Sequence, residues 1–284
     1  MRKTINKLFL IITVISALLL TTGCDLFIKT NKGQVDQKWY MGLTYEDDNG
    51  NDTDYTIGTD GTIAAVALED GYGDEFGIIK GEEAYLNINT IIKNIDKRFY
   101  VDATNNLVMF TDATKTYKTK IGGKTINETE NTDYVISFMD GKNCYVNVKF
   151  VKKYVDFDYK VVKAEGKSPA RIVLKYTSGE KNQMTVKSNI EMRTKADYQN
   201  LIVTTLKKNT KVTVLEESGD WTKVGTDDGF MGYVPAKKLK DKETKKTEFK
   251  SDADTYTHVL MNKKISLGWN AITNLTANGN LETI

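Results

Sequence analysis

Two stretches of the chain, "KGEEAYLNINTIIKNIDKRFY" from Lys80 and "DGKNCYVNVKFVKKYVDFDYK" from Asp140, carry one pattern at an offset of sixty residues. Gly81 falls on Gly141, Tyr85 on Tyr145, Asn87 on Asn147, Lys93 on Lys153 and Asp96 on Asp156. The apolar positions between them correspond as well: Leu86 with Val146, Ile88 with Val148, Ile91 with Val151 and Ile95 with Val155. One structural unit is therefore used twice. Within it, Gly81 and Gly141 mark turns, Ala84 and Leu86 with Cys144 and Val146 mark short strands, and Asn87 and Asn147 are placed to cap a helix. Ile88, Ile91, Ile92 and Ile95 recur at i, i+3, i+4 and i+7, the buried stripe of a short helix. The chain then returns to strand, as "RFYVD" and "NLVMFT" in the first copy and "DYKVV" and "ARIVLK" in the second. Each copy reads as strand, helix, strand, strand.

Carried by these residues, the region 40–176, with repeats at 80–111 and 140–174, resembles the domain named after the N-terminal region of copper amine oxidases. The name implies no metal here. Copper sites favour imidazole and sulfur ligands, and the single histidine of the chain, His258, lies outside this region. No metal and no cofactor are expected. Residues 47–54, "DDNGNDTD", have the composition of a calcium loop but lack its glycine and terminal glutamate in every register that starts on an aspartate. A polar turn between strands is the expectation.

From residue 184 to 240 the pattern changes to short strands separated by glycine turns. Met192-Arg193-Thr194, the hairpin "LKKNTKVTVLEESGDWTKV" and the closing Gly232-Tyr233-Val234-Pro235 resemble a bacterial SH3-like domain. Val212 and Val214 alternate with polar neighbours as a half-buried strand requires. The usual serine-glycine-proline turn after the arginine is replaced by Lys195-Ala196-Asp197. The resemblance implies a domain that binds peptidoglycan or another wall polymer, with Trp221, Tyr233 and Tyr198 as the expected ligand-binding aromatics; for Trp221 a core position is the alternative. Residues 241–263 follow as a lysine-rich linker, and "KKLKDKETKKTEFK" from Lys237 to Lys250 holds seven lysines and three acids, the composition of a solvated linker.

The N-terminal end carries an address rather than a fold. Arg2, Lys3 and Lys7 precede an apolar run of thirteen residues that closes on Thr21-Thr22-Gly23-Cys24. This resembles a bacterial lipoprotein signal over residues 1–23, with Cys24 as the lipidated mature N-terminus and 24–39 as a linker. The implied location is the outer face of the cytoplasmic membrane, held by the lipid anchor, or secretion where that signal is unused. If Cys24 carries lipid, Cys144 has no disulfide partner, and its setting in "NCYVNV" reads as a buried small hydrophobe. At the other end "KISLGWNAITN" resembles the first catalytic-barrel strand of clostridial family-eighteen glycoside hydrolases. Residues 264–284 supply only a start on a barrel that needs about 250 residues, and the acidic signature of such enzymes is absent from the sequence.

The expected fold class is therefore mainly β with short helices: an α+β repeat domain, a small SH3-like β-barrel and an orphan barrel strand. The expected function is a membrane-anchored wall-binding lipoprotein that is not an enzyme. The alternative is the targeting half of a split glycoside hydrolase whose catalytic barrel is separately encoded. With 40 basic and 38 acidic residues interspersed there is no field to attract nucleic acid.

Overall fold

The computed structural model describes residues 30–250. The signal, Cys24, His258 and residues 264–284 lie outside the described residues. The described chain is mainly β. Its strands are β1 (Thr44–Glu46), β2 (Asp52–Asp54), β3 (Thr62–Ala67), β4 (Gly77–Lys80), β5 (Glu83–Asn87), β6 (Phe99–Asp102), β7 (Leu107–Thr111), β8 (Thr116–Lys120), β9 (Thr125–Ile126), β10 (Glu130–Asn131) and β11 (Ser137–Asp140). They continue as β12 (Asn143–Asn147), β13 (Asp158–Val162), β14 (Ala170–Lys175), β15 (Gly179–Val186), β16 (Ile190–Arg193), β17 (Ile202–Leu206), β18 (Lys211–Ser218), β19 (Trp221–Gly225), β20 (Met231–Pro235) and β21 (Leu239–Thr247). Two seven-stranded sheets dominate, ordered β11-β12-β5-β4-β3-β14-β13 and β17-β16-β20-β19-β18-β15-β21.

The repeat organises the first sheet. β5 and β12, the equivalent strands of the two copies, pair antiparallel with Leu86 opposite Val146, its own counterpart. A local two-fold axis therefore passes between these two residues, and the copies meet through the same element. Gly81 and Gly141 hold φ of 61° and 56° in the hairpin turns that precede them, the left-handed region that costs a glycine nothing. Asn87 and Asn147 cap the helices by accepting the N–H of Asn89 and Lys149 at 2.9 and 2.8 Å.

The helices themselves differ. The second is a regular helix of about two turns, Val148–Tyr154. The first begins as α over Ile88–Thr90 and widens to a π turn over Ile91–Ile95, closed by the Asp96 N–H on the Ile91 carbonyl. Ile88 and Ile91 are buried as expected, but Ile92 is 37% exposed. The strands after each helix diverge too: β6 and β7 join β8 in a separate three-stranded sheet, whereas β13 and β14 extend the main sheet, β14 running parallel to β3.

The main sheet is covered on both faces, which explains why β3 reads "TIAAVA" without polar alternation. Ala64 and Val66 face one core with Phe99, Phe110, Phe150 and the repeat helices. Ala65 faces a second, with Ile78, Tyr85 and Tyr145. That second core also contains Val186, Met192, Val212, Val224 and Val234 from the other sheet, together with Val35, Met41 and Leu43. The repeat region and the SH3-like region thus share apolar packing.

Two segments expected as linkers are ordered. Residues 31–35 lie along the edge of the second sheet: the Val35 N–H donates to the Ile202 carbonyl and the Ile202 N–H to the Gly33 carbonyl, each at 2.9 Å. Residues 241–247, expected to be solvated linker, instead continue the nine-residue strand β21, paired with β15 from Val186 opposite Leu239 to Gly179 opposite Thr247. Backbone pairing holds this strand, since Leu239 is its only buried residue. Its lysines suit an outermost strand, where charge discourages pairing with another chain.

Candidate functional site

Trp221 opens β19 and Tyr198 sits in the loop between β16 and β17. Their rings meet edge to face at 4.8 Å between centroids, and both are half-buried. Below Tyr198 lies Arg193, whose guanidinium carbon is 5.9 Å from the ring centroid. Arg193 is almost fully buried, yet its charge is well served. Nη1 donates to the carbonyls of Asn31 and Asn200 at 2.9 and 2.6 Å, and Nη2 donates to the Glu191 carboxylate. A buried arginine with this many acceptors is a fixed strut rather than a mobile ligand group. It ties the segment from residue 31 to the Tyr198 loop and so sets the position of the aromatic pair.

Tyr233 has a different setting. On β20 it lies opposite Lys223 of β19, on the same face as Trp221, whose partner is Pro235. The middle of that face is covered by the repeat region. Tyr40 donates its hydroxyl to the Met231 carbonyl at 3.0 Å, and Lys223 Nζ donates to the Asp70 carbonyl at 2.8 Å. Burial, with the neighbouring Tyr233, pushes the Tyr40 hydroxyl up to about 12. The structure therefore brings Trp221 and Tyr198 together and places Tyr233 against the repeat region.

Next to Tyr233 the loop between β19 and β20 is clamped. Tyr72 donates to the Gly229 carbonyl at 3.0 Å and accepts the Met231 N–H at 3.2 Å. Arg171 donates from Nε to the Asp228 carbonyl at 2.6 Å and lies 4.3 Å over the Phe230 ring. None of Tyr40, Tyr72 and Arg171 stands out in the sequence, because each is a single polar residue in an apolar or glycine-rich stretch. Arg193 was visible only as part of the opening-strand motif.

Other candidates are structural. Cys144 is buried and burial pushes its thiol up to about 12, which removes the thiolate needed for reactivity. In the turn between β1 and β2, Asp47 accepts the N–H groups of Asn49 and Asn51 at 2.9 and 2.8 Å, so its carboxylate serves the turn. Among the described residues no group of three or more His, Cys, Asp or Glu side chains is placed to hold a metal.

Residues 188–240 match the bacterial SH3 domain family. The match covers β16 through β20 and the first residues of β21, so β15 and most of β21 extend the sheet beyond it. No curated protein and no solved structure matches the chain.

Proposed function

We propose that the chain is a cell-envelope protein that binds peptidoglycan through its bacterial SH3 domain and performs no chemistry of its own. The observation that carries this reading is the Tyr198–Trp221 ring pair, held at the surface of the matched domain by the buried Arg193. Rigid aromatic rings with one face wet offer contact area to a peptide or sugar at low entropic cost. Anchoring through lipid on Cys24 completes the proposal and would hold the domain within reach of the wall. The repeat region supports this role mechanically, since its packing on β19 and β20 fixes the domain.

The test uses the full chain carrying Cys24→Ala, so that lipid does not contribute to sedimentation. It should co-sediment with purified sacculi, and Trp221→Ala should weaken retention by tenfold or more, in the range of about 2 kcal/mol for a central aromatic contact. Trp221→Phe should recover part of it. Wild-type retention by a folded Trp221→Ala chain would contradict the assignment of the ring pair.

A further inference from the structure

A cleft of about 380 Å³ opens between the two sheets on the side away from Trp221 and Tyr198, with an adjoining lobe of about 320 Å³. Its floor is apolar: Val173 of β14, Met231 of β20 and Leu215 of β18, which pack together. Its walls include the outermost strand of each sheet, β13 on one side and β21 on the other. Each of these strands pairs with a single neighbour, β14 and β15 respectively, so each keeps a backbone edge unpaired by a further strand. Where the strands converge, the Lys250 N–H donates to the Asp156 carboxylate at 2.9 Å and joins the two sides.

The charges of the cleft do not balance. Every carboxylate in it has a lysine partner: Asp227 takes Lys175 at 3.0 Å, Glu69 takes Lys181 at 2.8 Å, Asp158 takes Lys152 at 3.0 Å, and Glu248 takes Lys246. Lys160 and Lys245 also line the cleft, and among the described residues neither has an ion-pair partner. Both ammonium groups act on Asp227, whose carboxyl is held low first by its hydrogen bond from Lys175. Two unpaired lysines on an otherwise neutralised cleft leave a local positive excess that suits an anionic group.

We propose that this cleft binds the carboxylate end of a short, extended, aliphatic peptide. Lys160 and Lys245 take the carboxylate, the Val173, Leu215 and Met231 floor takes the aliphatic side chains, and the free strand edges take the peptide amides. Lysines rather than arginines suit a single charge approached from several directions, and edge pairing is the ordinary way a sheet accepts an extended chain. A phosphodiester polymer would satisfy the lysines but leave the apolar floor and the amide edges without partners. The inference deepens the wall-binding reading, because the wall supplies peptides of this kind, but it uses a surface distinct from the aromatic pair.

The experiment follows the Met231 methyl resonance and the heat of binding on the full chain carrying Cys24→Ala. The probes are tetra-alanine with a free carboxylate, tetra-alanine amide and a glycerol-phosphate oligomer. Saturable binding of the free acid with a shift at Met231, at least tenfold weaker binding of the amide, and at least tenfold weaker binding of the acid by Lys160→Ala/Lys245→Ala are expected. Both lysines are exposed, so that variant should fold normally. Trp221→Ala should bind the acid as the parent does, which separates this site from the aromatic one. If sacculus retention fails while the acid still binds at Met231, the wall-binding reading falls and the cleft assignment stands. Equal binding of acid and amide, no shift at Met231, an unaffected double-lysine variant, or binding of the phosphate oligomer in place of the peptide would each overturn the proposal.

Discussion

Gly229→Val is expected to separate the SH3-like sheet from the repeat region and to lower the melting temperature of the chain substantially. Gly229 holds φ of 85°, where a β-branched residue is strained by roughly 1–2 kcal/mol. Its position is also closed from above, because a Cβ there would come within 2.8 Å of Val173 Cγ2 and 3.1 Å of Ala67 Cβ. A valine therefore meets β3 and β14 before any flexible group can yield. Moving the loop away breaks the Tyr72 hydrogen bonds to Gly229 and Met231, and leaving buried polar groups unpaired costs about 1–3 kcal/mol. Together these effects reach roughly 3 kcal/mol or more, worth about 6–12 °C in a chain of this size. Differential scanning calorimetry of the variant beside wild type makes the comparison. A melting temperature within a degree of wild type would show that the two regions do not depend on this contact.

Ending the chain after Lys238 is expected to have a comparable effect relative to a chain ended after Lys250. The shorter chain loses β21 and with it Leu239, a core side chain whose removal costs about 2–5 kcal/mol. It also exposes the edge of the eight-residue strand β15, which has β21 as its outer partner. An open edge of that length pairs readily with another chain. The shorter chain should melt well below the longer one and elute as oligomers in size-exclusion chromatography. Monomeric, equally stable behaviour of both chains would mean that residues 239–250 are dispensable, as a linker would be.

β21 leaves no signal in the sequence for a physical reason. A strand is legible when its inward side chains are apolar, and here only Leu239 faces a core while the following residues are exposed on both faces. The strand is held mainly by backbone register, with exposed side-chain bonds such as Thr244 to Asn182 and Lys242 to Glu217 beside it, and neither leaves a trace in the pattern of residue types. Residues 31–35 carry a single core side chain, Val35, which is too little to make a pattern. Where side chains carry the structure the sequence is informative: the sixty-residue offset, the two asparagine caps and the two glycine turns all have structural counterparts. The Ile92 exposure marks the limit of that reading: its counterpart in the regular second helix, Lys152, is exposed too, so this position faces solvent in both copies. In the candidate site, the motif positions single out the three aromatic residues as candidates. Their grouping was not, since Tyr233 is claimed by Tyr40 and the repeat region, and that contact joins residues far apart in the chain.

The reading of this chain as a peptidoglycan-binding protein is tested most directly by removing the peptides of the wall. An amidase removes the peptides and with them the cross-links, so the sacculi are first coupled to beads through their glycan strands, which the beads keep after treatment. The full chain carrying Cys24→Ala should sediment with untreated sacculi and lose at least nine-tenths of that retention on amidase-treated ones. Equal retention on both, or none on either across a range of salt, would contradict it.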